Sequence, residues 1–276
     1  MIELVIQTIQ ENRLIMIVLA NLALGMLSGF LAGLFGIGGG MVIVPVLVLL
    51  FSAQGLPNDL IMIMAIATSL ATIILTAISA VLAHHRLGSV LWGKVLQLTP
   101  GILLGAMLGA AIADSIRSDY LRLILIAFLL YVGLQMALGV SPKTGTAAYS
   151  SWVDFIVATA IGLFSSLVGI GGGTLTVPYL AHCHYPMRNA VATSSACGLP
   201  IALASTASYI ALGIHNPHIP TWSLGYIYLP SFLGVGIGSI FTAPVGAKLA
   251  NKLPARQLKR YFSILIFLMV IKLIWD

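Results

Sequence analysis

Eight stretches of this chain, near residues 14–35, 60–83, 91–113, 121–139, 152–168, 188–212, 222–247 and 258–274, run apolar for about the length of a bilayer crossing. About 20 such residues, rising 1.5 Å each in a helix, cover the roughly 30 Å of hydrocarbon in a membrane. Two shorter runs, near 41–52 and 174–181, each follow a cluster of glycines directly. The runs are continuous and do not alternate, so helices are predicted and a closed barrel is not. Composition closes off the soluble alternative. Hydrophobic residues make up 59% of the chain and charged residues 7%, against roughly 25% charged in soluble domains. A soluble fold of this size leaves too much of the chain at its surface to hide that much apolar area.

The sequence is written twice. GFLAGLFGIGGGMVIVPVL at 29–47 and GLFSSLVGIGGGTLTVPYL at 162–180 share ten of 19 positions at an offset of 133. AIATSLA at 65–71 matches AVATSSA at 190–196 at an offset of 125, and GAAIAD at 109–114 matches GAKLAN at 246–251 more weakly. Three matches in the same order indicate duplication. The expected organisation is an N-terminal repeat over 1–140, a hydrophilic linker over 141–151 and a C-terminal repeat over 152–276, joined in one all-α membrane domain. Residues 1–13 carry Glu3 and Glu11 before their first cation, unlike the basic start of a signal peptide. Ile2 to Ile9 are expected to form a short interfacial or poorly ordered lead-in.

Charge placement sets orientation. With five apolar segments per repeat, Arg86, Lys94, Lys143, Arg188 and five cations between 248 and 260 fall on one side. Arg13, Arg117, Arg122 and Lys272 fall on the other. The richer side is expected in the cytoplasm and both termini opposite it. Each repeat then makes an odd number of crossings, so the two are inverted, an arrangement common among secondary transporters. The net charge of +6 reads as orientation. It is not clustered with aromatics as a nucleic-acid site would be.

The duplicated GIGGG is where chemistry is expected. Gly36, Gly38, Gly39 and Gly40, and again Gly169, Gly171, Gly172 and Gly173, would break a helix inside an apolar stretch. Each glycine costs about 1 kcal/mol against alanine, and irregular backbone inside a membrane survives only where protein or water covers it. The helix that restarts after each break presents free N–H groups and its positive end to the gap. Two related breaks could hold one anion near mid-membrane. By contrast, Gly25/Gly29/Gly33 and Gly101/Gly105/Gly109 have the four-residue spacing of close helix packing. No GK[ST] follows GIGGG and no strand precedes it, so it is neither a Walker loop nor a dinucleotide fingerprint.

Thr68, Ser69, Thr193 and Ser194, paired at equivalent positions, are candidate neutral donors to the same anion, or hydroxyls bonded within the helix bundle. His84, His85, Arg86, His182 and His184 end spans and read as interfacial, with proton coupling as the sharper option. Asp59, Asp114 and Asp154 lie at expected loop ends and read as solvated. Cys183 and Cys197 have no metal-ligand spacing and read as packed thiols. No catalytic or metal-binding cluster falls within a span, so no enzyme activity, metal or cofactor is expected.

The paired GIGGG-x4-P, the later ATS and the PG-x3-G-x3-G stretch over 100–109 resemble the sulfite exporter TauE/SafE family, also described as 4-toluene sulfonate uptake permeases. The resemblance covers nearly the whole chain. It implies a multi-pass protein of the bacterial inner membrane carrying sulfite, a sulfonate or a related organosulfur anion as a secondary carrier. It also implies an anion site at 36–40 and 169–173. No intramembrane Arg or Lys aligns in both halves, so neutral donors would do most of the binding. An anion channel and a non-transporting membrane subunit are the alternatives. The partners expected are the bilayer, a small organosulfur or sulfur-oxyanion substrate, a coupling proton or ion and, as an open option, a second copy in a homo-oligomer.

Overall fold

The computed structural model describes residues 18–31, 40–138, 150–250 and 255–275. Residues 141–149 of the expected 141–151 linker, the N-terminal lead-in and Gly36, Gly38 and Gly39 lie outside these residues. Ten helices are present among them: α1 (Val18–Leu31), α2 (Gly40–Ala53), α3 (Asn58–Arg86), α4 (Trp92–Ser115), α5 (Ser118–Ala137), α6 (Ser151–Val168), α7 (Gly173–His182), α8 (Met187–Gly213), α9 (Leu229–Ala250) and α10 (Ala255–Trp275). Five of them, α3, α4, α5, α6 and α8, are long and apolar enough to cross a membrane. Large apolar side chains such as Leu96, Phe241 and Trp152 stand more than two-thirds exposed, as a lipid-facing surface requires. The chain is a multi-pass, all-α membrane protein.

Packing repeats as the sequence does. Exchanging α1–α5 for α6–α10 turns the α2–α3 contact into α7–α8 and α4–α8 into α9–α3, while α3–α8 and α5–α10 map onto themselves. The α4–α6 contact becomes α9–α1, and both are lined by glycine. A Cβ on Gly105 would lie 2.0 Å from the Thr159 carbonyl oxygen, and one on Gly29 would lie 2.2 Å from Ser239 Cα. The four-residue glycine spacing is therefore a close-packing device, with α1 and α9, like α4 and α6, running parallel. The exchanged helices run in opposite directions. Arg188 and Asn189 at the start of α8 donate to the carbonyls of Leu87 and Ser89 just past the end of α3, so α3 and α8 are antiparallel. The repeats are inverted.

One expected span starts late. Residues 222–228 form a short antiparallel hairpin, β1 (Ser223–Leu224) and β2 (Ile227–Tyr228), and α9 begins only at Leu229. Trp222 (φ 68°) and Gly225 (φ 54°) take left-handed backbone there. Tertiary partners satisfy the hairpin's N–H groups: Tyr226 donates to the Tyr209 carbonyl and Tyr228 to Thr68 Oγ1.

Candidate functional site

The second glycine cluster turns the chain back on itself. Gly169 caps α6 with φ 78°, its N–H and that of Ile170 both bonding the Ser165 carbonyl. Three residues on, Gly172 opens α7 with φ 72°, and its carbonyl accepts from Leu175 and Thr176. Left-handed backbone at both positions is what glycine alone adopts at little cost. The reversal is a re-entrant hairpin. Tyr179, on the returning α7, donates its hydroxyl hydrogen to Asp154 near the start of α6, so the chain leaves on the face by which it entered.

This turn lies against the middle of both long helices. Cβ atoms added at Gly169 and Gly171 would meet Ile66 and Ile73 of α3, and one at Gly172 would meet Ile201 of α8. Gly40, the last residue of the first glycine cluster, lies at the same place: a Cβ on it would sit 2.6 Å from the Gly169 carbonyl oxygen. Gly40, Gly169, Gly171, Gly172 and Gly173 are thus brought together between the halves. The N–H groups of Gly171, Gly172, Gly173 and Thr174 have no acceptor among the described residues, as expected of a helix start without a side-chain cap.

Hydroxyls complete the surroundings. Ser165 Oγ and Thr176 Oγ1 lie 3.6 and 3.4 Å from the Cβ position of Gly172, both residues are fully buried, and neither hydroxyl has a partner. Ser205 is likewise buried and unpartnered. It sits one helical turn from Ile201, which touches Gly172, and one from Tyr209, which donates to the Ser166 carbonyl. Buried polar atoms are nearly always bonded, so the unpaired hydroxyls stand out here, beside N–H groups that have no acceptor among the described residues. Sequence reasoning missed Ser165, Thr176 and Ser205. The signal was available in the repeats, which put Ala32, Ile43 and Ala80 at the equivalent positions.

The hydroxyls expected from sequence are placed differently. Thr68 Oγ1 accepts from Tyr228 N–H just before α9 (3.0 Å), and Thr193 Oγ1 accepts from Leu91 N–H just before α4 (3.1 Å). Each repeat's threonine thereby anchors the start of a helix in the other repeat, and keeps its own O–H to donate. Ser69 donates to the Gly169 carbonyl at 2.9 Å, tying α3 to the glycine turn. Ser194, its counterpart, is buried without a partner.

Two of the three aspartates expected to be solvated are paired. Asp154 is fully buried, 2.6 Å from Lys94 Nζ, and also accepts from Tyr179. Its partners come from α4 and α7, so its position at the end of an apolar run concealed its burial. Asp114 stays exposed but accepts from the Tyr226 hydroxyl at 2.6 Å; Asp59 is exposed. Both cysteines are free, and burial pushes the Cys183 thiol upward, against the lowering influence of Tyr179 and Lys94.

A family model described as sulfite exporter TauE/SafE matches residues 21–273. A probable membrane transporter protein of Haemophilus influenzae is 37% identical over 257 residues, covering 93% of this chain and 97% of that one. Probable membrane transporter proteins of Methanocaldococcus jannaschii (28% identical, 87% and 88% covered) and Bacillus subtilis (26%, 92% and 96%) are similar along most of their length. No solved structure matches the chain.

Proposed function

This membrane transporter belongs to the sulfite exporter TauE/SafE family, and we propose that it is a secondary carrier moving a small organosulfur anion, sulfite or a sulfonate, by alternating access. The anion binds between the inverted halves at the glycine breaks. One observation supports this: the Gly169–Thr174 turn, where four N–H groups without an acceptor among the described residues lie near the unpartnered hydroxyls of Ser165 and Thr176. An anion in mid-membrane needs donors to replace its water, and a fixed cation there costs roughly 2.5–3.5 kcal/mol on insertion scales. The start of α7 supplies donors and positive potential without that charge. Gly36, Gly38, Gly39 and Gly40 serve the same site from the other repeat, with Ser69 tying α3 to the second break and the unpartnered hydroxyl of Ser194 left to donate. The repeats, 1–140 and 152–276, rock about this site with their charge-rich loops in the cytoplasm.

Thermal-shift screening of the purified protein against sulfite, thiosulfate, sulfoacetate, taurine and chloride would identify the anion, since a ligand at a hundredfold excess over its Kd stabilises by about 2.7 kcal/mol. Ser165→Ala with Thr176→Val keeps the shape and removes two donors. The expected loss is about 0.5–1.5 kcal/mol of binding per hydroxyl, roughly tenfold in Kd together. An unchanged Kd in a variant of normal melting temperature would remove the site from this turn.

A further inference from the structure

Two isoleucines press on the glycine turn from the two long central helices. A Cβ on Gly172 would lie 2.4 Å from Ile201 Cδ1 of α8, 3.4 Å from Thr176 Oγ1 and 3.6 Å from Ser165 Oγ. One methyl group and two unpartnered hydroxyls therefore converge on a single point. From α3, Ile73 Cγ2 would lie 3.1 Å from a Cβ on Gly171, and Ile73 Cδ1 3.0 Å from one on Gly40. Ile73 thus touches both the turn and the last residue of the first glycine cluster. Both isoleucines are buried.

The neighbours of Ile201 make it conspicuous. Residues 194, 198, 201 and 205 share one face of α8, and they read Ser, Gly, Ile, Ser. This face meets the turn, since a Cβ on Gly198 would lie 2.7 Å from the Gly171 carbonyl oxygen. Ser194 and Ser205 are buried without a partner, so between them Ile201 is a large apolar side chain in a polar stripe. At the offset of 125 that relates α8 to α3, Ile201 corresponds to Thr76 and Ile73 to Gly198. Thr76 is accommodated in its own helix, where its hydroxyl donates to the Ile73 carbonyl at 3.1 Å. The duplicated scaffold takes a hydroxyl where α8 carries a methyl.

We propose that Ile73 and Ile201 set the specificity of the anion site, selecting an anion with one small apolar substituent, such as an alkylsulfonate, over a bare oxyanion. This rests on the anion site proposed above and names the residues that choose its ligand. The donors come from the start of α7 and from Ser165 and Thr176; the methyl groups come from α3 and α8. A bare oxyanion turns an acceptor oxygen to every side, and an oxygen facing either isoleucine loses water without gaining a donor. A sulfonate directs three oxygens to donors and buries its alkyl group against the isoleucines.

Methanesulfonate and sulfate are close in size and differ by a methyl group in place of an oxygen. The ratio of their Kd values, measured by calorimetry on the purified full-length protein, therefore reads the selection. The wild type is expected to favour methanesulfonate about tenfold or more. Ile201→Thr, the residue type found at the equivalent position of α3, is expected to cut that ratio about tenfold at a normal melting temperature. Ile201→Ala enlarges the site and tests size at constant charge: preference should move from methanesulfonate toward propanesulfonate by about tenfold. Ser165→Ala with Thr176→Val should weaken all three anions alike. Sulfate held as tightly as methanesulfonate by the wild type, or ratios unchanged in both Ile201 variants, would overturn the specificity role. If the hydroxyl variant still weakens binding in that case, the anion site itself stands. If none of the three anions binds the wild type, the site reading falls and the role of the isoleucines falls with it.

Discussion

A Cβ on Gly105 would stand 2.0 Å from the Thr159 carbonyl oxygen, whereas one on Gly93, in the same helix, would meet nothing within 4 Å. The two glycines therefore answer differently to alanine. Gly105→Ala must push α4 off α6, and overpacking of this kind costs about 1–3 kcal/mol. Gly93→Ala removes only backbone freedom from the first turn of α4 and gains up to about 1 kcal/mol of helix propensity. A melting experiment in detergent is expected to show a clear fall for the first and none for the second. The four-residue spacing announced this packing directly. What spacing does not announce is the company a polar side chain keeps: the burial of Asp154 depends on Lys94, 60 residues earlier, and on Tyr179 in a different helix.

Helix starts are the points at which the halves hold each other. Replacing Thr68 or Thr193 with valine strands the N–H of Tyr228 or Leu91 in apolar surroundings, at about 1–3 kcal/mol each. Both variants should melt earlier, and serine at either position should restore most of the loss. Most of the elements were legible in the sequence, since apolar length and the cost of consecutive glycines place the long spans and the break at 169–172. The re-entrant return was not. Ten residues of α7 cover about 15 Å, a length compatible with finishing a crossing or retreating from one, and only the left-handed turns at Gly169 and Gly172 choose. The hairpin at 223–228 was hidden similarly, because its apolar composition matches the span it precedes and its bonds lie on α3 and α8.

At the scale of the whole molecule, the contacts pair opposed helices across one interface, so the loops between α3 and α4 and between α8 and α9 belong to opposite faces. In a Cys183→Ser background, cysteines at the exposed positions Leu87 and His218 are expected to react with an impermeant maleimide from the cytoplasmic and the outer side respectively. Labelling of both from one side would reject the inverted arrangement. The same interlocking bears on how the protein comes into being. The glycine face of α1 fits α9, and Asn21 meets Ser231, 210 residues further along the chain. At roughly 5–20 residues per second of synthesis, α1 waits in the bilayer for about ten to forty seconds before its partner exists. During that interval its close-packing surface is open to lipid, to a chaperone or to a neighbouring nascent chain. The first repeat is thus a dependent half, and the maturation of this transporter is decided at its last helices.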